Sequence, residues 1–274
     1  MITRELDQGN RERQRGAESV LENHLPLFLP FSTWRRRSQE LELLDKAQAG
    51  RDFDLAEYEH AYRELELINR ITNGYGPTIA AIEQVARRRG EAERRSPFRV
   101  LDIGFGYGDT LRAIRRWADR IGLEVELEGV DLHPWARVIA EQATPATYDI
   151  RYHTSDIFAF EGETYDMIIN ALFMHHLADD QIVRLLRWMT LKARRAWFIN
   201  DLHRSPIAYA LARGTIDRLS ASRFVKYDAP LSVARSFRKR DWWRYVREAG
   251  LDPAHVHVTW HWLFRYGVFY DANL

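Results

Sequence analysis

The sequence predicts an α/β protein built on one mostly parallel, doubly wound sheet, and three observations predict it. From Phe98 onward short apolar runs alternate with amphipathic helical stretches, the pattern of strands joined by crossover helices. The first of these runs, Arg99-Val-Leu-Asp-Ile103, passes directly into Gly-Phe-Gly-Tyr-Gly108 and then into a helical stretch. At the other end, Val256 to Phe269 alternates apolar and polar positions as a closing pair of strands does.

Along the chain, residues 1 to about 20 mix both charge signs and hold few apolar positions, so a disordered or loosely attached tail is expected. His24 to Phe31 is apolar but broken by Pro26 and Pro30; it cannot form a regular helix and needs a surface to lie across. Leu55, Tyr58, Tyr62 and Leu65 recur at helical spacing, and Asn73-Gly74 ends that helix. Pro77 opens another, which ends near Gly90. Strands are placed at about 98–103, 125–130, 147–152, 165–170 and 195–200, with helices near 109–121, 134–142 and 179–190. Leu111, Ile114, Ala118 and Ile121 share one helix face, as do Ile182, Leu185, Leu186 and Met189. After Asp201 a helix runs through Ala208 and Leu211, an irregular segment follows, and Arg240 to Ala249 is helical up to Gly250. The organisation is therefore a tail at 1–20, a helical extension or lid at 21–96 and the main domain at 97–274. The stretch from about Leu25 to Gly76 is expected to close over the ligand sites, because its broken apolar run and amphipathic helix both need a surface.

Composition narrows the function. With 46% hydrophobic and 29% charged residues the chain is an ordinary globular protein, and no apolar run is long enough to span a bilayer. The first residues lack the apolar core of a signal peptide, which points to the cytoplasm. There is no cysteine, so disulfides and thiolate metal sites are excluded. A net charge of +1 gives no general attraction to nucleic acid, and no basic stripe with interleaved aromatics stands out among the dispersed arginines. The expected partner is a small molecule; the oligomeric state is not legible.

Gly104, Gly106 and Gly108 form a turn where backbone can approach a ligand without a Cβ in the way. The spacing is G-x-G-x-G followed by Asp109, whereas the dinucleotide fingerprint is G-x-G-x-x-G/A with a helix N-terminus that receives a pyrophosphate. Asp102 and Asp109 would repel a phosphate there and suit a cation such as the ammonium of an amino acid. Asp131 ends the second strand in Gly-Val-Asp-Leu-His133, where a carboxylate can accept from both hydroxyls of a ribose; the alternative is a cap for the helix that begins at Pro134.

These motifs resemble the class I S-adenosylmethionine (SAM)-dependent methyltransferase superfamily over roughly residues 98–270, most of all its bacterial small-molecule branch of the ubiquinone and menaquinone biosynthesis type and its polyketide- and phenol-modifying relatives. Val100 to Asp109 is similar to that family's first motif, Gly129 to Pro134 to its second, Ser155-Asp156-Ile157 to its third, and Tyr165 to Leu177 to its fourth strand and following loop. The resemblance implies a Rossmann-like seven-stranded sheet with a closing antiparallel strand, and SAM as cofactor. It implies that Asp102, Gly104, Gly106 and Gly108 line the methionine end, Asp131 holds the ribose, Leu132 packs on adenine, Asp156 and the backbone of Ile157 read the adenine edge, and Asn170 ends the fourth strand at the site. Phe105 and Tyr107 are bulkier than the family's common choices.

The reaction implied is transfer of a methyl group to a small organic acceptor, at the oxygen, or alternatively a carbon, of a hydroxylated aromatic or polyketide-like compound. A catalytically silent SAM-binding subunit and a nucleotide-dependent oxidoreductase are the rival classes. His175 and His176 follow the fourth strand and His203 the fifth, which makes them candidates for the base that takes the acceptor's proton. No metal site is expected: adjacent His175 and His176 do not chelate as an i,i+4 pair does, no acidic ligand lies at the usual spacing, and His255, His257 and His261 read as strand residues. Trp34, Phe224, Tyr227, Phe237, Trp242 and Trp243 either shape an apolar acceptor pocket or belong to the core.

Overall fold

The computed structural model describes residues 34–47 and 54–273. The expected tail at 1–20 and the apolar stretch 24–31 lie outside the described residues. Among the described residues seven strands form one sheet, β1 (Phe98–Ile103), β2 (Val125–Asp131), β3 (Ile150–Thr154), β4 (Tyr165–Ala171), β5 (Ala193–Leu202), β6 (Val256–His261) and β7 (Arg265–Asp271), in the order β3-β2-β1-β4-β5-β7-β6. The first five are parallel, and β7 runs antiparallel between β5 and β6. Strand order reverses between β1 and β4, so a crevice opens outside their carboxyl ends, where ligands of open α/β sheets bind.

The helices are α1 (Leu43–Ala47), α2 (Leu55–Ile71), α3 (Gly76–Arg87), α4 (Asp109–Ile121), α5 (Pro134–Ala143), α6 (Asp179–Lys192), α7 (Pro206–Leu219), α8 (Arg223–Arg235) and α9 (Lys239–Ala249). Helices α3, α4 and α5 cover one sheet face through Ile82, Leu111, Ile114 and Ala140. On the other, α6 and α9 pack Ile182, Leu185, Trp242 and Val246 against Leu101, Ile168 and Ile199. A third cluster joins α1, α2 and α8 through Leu43, Tyr58, Phe224 and Val225, and Tyr107 from the glycine turn is part of it. This layer lies over the ligand end of the sheet. Among the described residues no helix is long and apolar enough to cross a membrane.

Two expectations about the elements are corrected. The third strand starts at Ile150, because Ala146–Tyr148 is a 3-10 turn after Pro145 and Asp149 takes a left-handed conformation (φ 48°) before the strand begins. The segment after Leu211 is not irregular. Helix α7 continues to Leu219, and α8 forms with Ser222 accepting from the Val225 N–H at its start, in spite of Pro230 inside it. Burial of Phe224, Val225, Leu231 and Val233 outweighs the backbone hydrogen bond that proline removes. Trp34, Phe224, Phe237 and Trp242 are buried in apolar clusters, as core residues are.

Candidate active site

The glycine turn joins β1 to α4 with all three glycines in left-handed conformation, at φ 72°, 52° and 69° for Gly104, Gly106 and Gly108. Only glycine takes such values without strain. The Gly104 N–H donates to Val130 O at 2.8 Å, which ties the turn to β2. Phe105 is accommodated because Gly129 on β2 lacks a side chain: a Cβ at 129 would come within 2.7 Å of the Phe105 ring. Tyr107 stacks on the Arg112 guanidinium, 4.7 Å from ring centre to cation.

Asp131 closes the turn from the end of β2. Its Oδ2 accepts from the Gly106 N–H at 3.0 Å and its Oδ1 from the His133 N–H at 2.9 Å. The cap of α5 is His133, whose ring accepts from Trp135 N–H, so capping does not account for Asp131. Burial raises the Asp131 carboxyl above its ordinary pKa, against the lowering effect of these two N–H donors. Asp102 is 2% exposed, its Oδ1 has no hydrogen-bond partner, and burial, with Asp109 and Asp131 nearby, pushes its carboxyl well above the usual range. A buried carboxyl with an unpartnered oxygen at the end of β1 fits a cationic ligand group there.

Of the other residues assigned to the cofactor, Leu132 is 61% exposed beyond β2 and free to pack on a flat ligand. Asp156 is exposed and accepts from Phe158 N–H at 2.9 Å, and Ile157 is buried beside it. Asn170 is fully buried, with its amide turned to the Met189 sulfur 3.7 Å away. That orientation engages its side chain with α6 rather than with the glycine turn.

The histidines separate into two neighbourhoods. His175 and His176 share a 3-10 turn after β4, with ring centres 4.3 Å apart. Two arginines fix this turn through its backbone: Arg37 donates to His175 O and Leu177 O, and Arg235 to His175 O and His176 O. Asp201, buried at the end of β5, accepts from His175 Nδ1 at 2.8 Å. Burial would favour a protonated Asp201, but His175 and the Leu202 N–H hold its pKa below the ordinary value. An ionised carboxylate only accepts, so His175 Nδ1 donates to it, and Nε2 faces Glu42 Oε1 at 3.6 Å. Burial opposes a charge on His176, yet Glu42 and Asp45 outweigh it and push the pKa up to about 9. His203 lies elsewhere, its Nδ1 facing Trp260 Nε1 and its ring against Tyr266; burial, Arg238 and Arg204 lower its pKa.

Residues that sequence reasoning did not assign join the two halves. Tyr62 of α2 lies against the turn, so close that a Cβ on Gly106 would come within 2.6 Å of its ring. Its phenol is 3.3 Å from that of Tyr58. Burial raises the Tyr62 pKa, and the charges of Asp131, Asp45 and Glu42 raise it further. Glu42 and Asp45 arrive from the extension. The Leu43 and Leu44 N–H groups bind Asp228 of α8, and Ser232 donates to Glu42.

This sheet order and turn are those of the class I methyltransferase fold. The family model described as a methyltransferase domain matches residues 100–192 of this chain. A ubiquinone biosynthesis O-methyltransferase of Roseobacter denitrificans is 30% identical over 152 residues, 55% of this chain and 59% of that protein. A carboxy-S-adenosyl-L-methionine synthase of Psychrobacter is 31% identical over 122 residues, 41% of this chain and 44% of that one. The chain spans less than two thirds of the length of these relatives. In fold it is similar to human N-acetylserotonin methyltransferase in complex with SAM (TM-score 0.57, 13% identity, 93% of this chain and 64% of that one). It is also similar to a plantazolicin methyltransferase in complex with SAH (TM-score 0.55, 12% identity, 95% and 98%).

Proposed function

We propose that this protein transfers the methyl group of SAM to the oxygen of a small hydroxylated aromatic or polyketide-like acceptor. The observation that carries the reading is the placing of two half-sites at the ends of neighbouring strands: a glycine turn flanked by Asp102 and Asp131 after β1, and a histidine pair held by carboxylates after β4. The O-methyltransferase relatives support oxygen as the atom methylated. Gly104, Gly106, Gly108 and Asp102 would hold the methionine end, Asp131 the ribose, and Leu132, Asp156 and Ile157 the adenine. SAM, when bound, supplies an electrophilic methyl group on a sulfonium. The chain must then align the acceptor with that group and let the acceptor oxygen lose its proton. His175 is the residue for the second task; His176, its pKa pushed up to about 9, already holds a proton at neutral pH, and His203 faces Trp260 and Tyr266. Tyr58 and Tyr62 of α2 close over the turn and exclude water from the transfer, the lid role expected of the extension.

The test is kinetic. His175→Ala should lower turnover by roughly 10²- to 10⁴-fold and leave SAM affinity nearly intact, whereas His203→Ala should change neither. Equal turnover in wild type and His175→Ala would remove the histidine turn from the mechanism.

A further inference from the structure

The buried face shared by Glu42, His175 and His176 has a geometry that hydrogen bonding does not explain. His175 Nε2 is 3.6 Å from Glu42 Oε1 and His176 Nε2 is 3.8 Å from Glu42 Oε2, both too long for hydrogen bonds. Ligand atoms that share a tetrahedral zinc ion at about 2.1 Å lie about 3.4 Å apart; each histidine meets a different oxygen of Glu42 at a slightly longer separation, as a carboxylate that turns toward an ion between the two rings would. All three donor atoms fall within 4.8 Å of one another. Each histidine also has its other nitrogen on a carboxylate, His175 Nδ1 on Asp201 at 2.8 Å and His176 Nδ1 on Asp45 at 2.7 Å. That outer arrangement fixes both rings with Nε2 toward Glu42 and is how metal-binding histidines are held.

We propose that Glu42, His175 and His176 form a binding site for one divalent cation of the zinc type, with a position left for an oxygen of the acceptor. Glu42 and His175 are each 2% exposed, so the donors stand in a poorly solvated place where their charge needs a counter-ion. Three carboxylates, Glu42, Asp45 and Asp201, face the pair, with Arg235 at 3.6 Å from both Glu42 Oε1 and Asp45 Oδ2. Arg37 nearby is paired with Asp179. One guanidinium against three carboxylates leaves two negative charges, which a divalent ion neutralises. Three protein ligands and one open position is the arrangement of catalytic rather than structural zinc, and an oxygen bound in that position ionises near neutral pH. The inference rests on the proposed function for the acceptor and takes the place of the histidine base there, because an imidazole that ligates an ion through Nε2 takes no proton from the acceptor; the cation site itself stands on geometry.

The test is direct titration of tag-free, chelator-stripped protein with Zn²⁺, in the absence of SAM and acceptor. The expected result is one ion per chain, bound at least 100-fold more weakly by Glu42→Gln and by His176→Ala, and 10- to 100-fold more weakly by Asp45→Asn, whose carboxylate only orients the ring. His153→Ala, at the Glu128 ion pair, should bind as wild type does. Circular dichroism establishes which variants fold, and His176→Ala, at the more exposed ligand, is the variant expected to keep the fold. Absence of stoichiometric binding by wild type, or equal binding by a folded His176→Ala, would overturn the site. Neither result bears on SAM binding, so failure of the cation site and failure of the methyl-transfer reading are separable.

Discussion

Asp102→Asn should make the protein more stable and a poorer binder of SAM. In the cofactor-free chain this carboxyl is enclosed at the end of β1, with Oδ1 unpartnered and Asp109 and Asp131 as negative neighbours. Its pKa is raised in the folded chain, so the fold holds that proton more tightly than the unfolded chain does. The sign follows: stability is lost as pH rises from the unfolded pKa of about 3.9 through the folded value, so the penalty in wild type grows with pH across that window. An isosteric amide removes the titration. Relief of a buried, unsatisfied acidic group corresponds to about 1–3 kcal/mol, or roughly 2–12 °C in melting temperature for a chain of this size. Loss of a charge-assisted contact to the methionine ammonium should weaken SAM by roughly 10- to 100-fold. The assay is a pair of thermal melts at pH 5 and pH 8, with calorimetric titration of SAM. The stability advantage of Asp102→Asn should grow from pH 5 to pH 8; a variant that melts below wild type at pH 8 would show that the carboxylate stabilises the apo fold, and the reasoning fails.

Asp131→Ala should weaken SAM binding by about 1.5–3 kcal/mol, the range for hydrogen bonds to a charged group, without unfolding the domain; unchanged affinity in calorimetry would remove the ribose assignment. Gly106→Val should abolish SAM binding and lower the melting temperature as well, because the new Cβ meets Tyr62 as well as the left-handed backbone limit. Adding Tyr62→Ala to it should recover part of the stability and none of the binding, as melts and titrations of the double variant will tell. Asp201→Asn should lower turnover by roughly 10- to 100-fold with SAM affinity unchanged, since the amide no longer fixes the His175 proton at Nδ1; steady-state kinetics equal to wild type would argue against that role.

The parts legible in sequence are those specified locally. Strand β1, the glycine turn and α4 were readable because the apolar run, the left-handed glycines and the Gly122 stop all act within a few residues. Where local signals conflict with packing the sequence misleads. Pro230 argues against a helix that Leu231, Val233 and Phe224 nevertheless bury, and the strand expected from about 147 begins only at Ile150, after the Ala146–Tyr148 turn and the left-handed Asp149. The histidine turn shows the same division. His175 and His176 were legible as residues after the fourth strand, but Asp45 contacts His176 from 131 positions away. Reasoning from close spacing could not bring Glu42 to the pair, and the expectation of no metal rested on that spacing. Tyr62 was legible as a helix position and not as a neighbour of Gly106, because that contact depends on how α2 docks across the sheet.

The central claim is tested most directly by incubating the purified full chain with methyl-labelled SAM and a panel of hydroxylated aromatic and polyketide-like compounds, with mass spectrometry of all products. Stoichiometric SAM binding, formation of S-adenosylhomocysteine that depends on one of the acceptors, and label on an oxygen of that acceptor is the result expected. A chain that binds SAM and forms no S-adenosylhomocysteine with any acceptor would be a silent cofactor-binding subunit, and a chain that binds no SAM would contradict the account at its base.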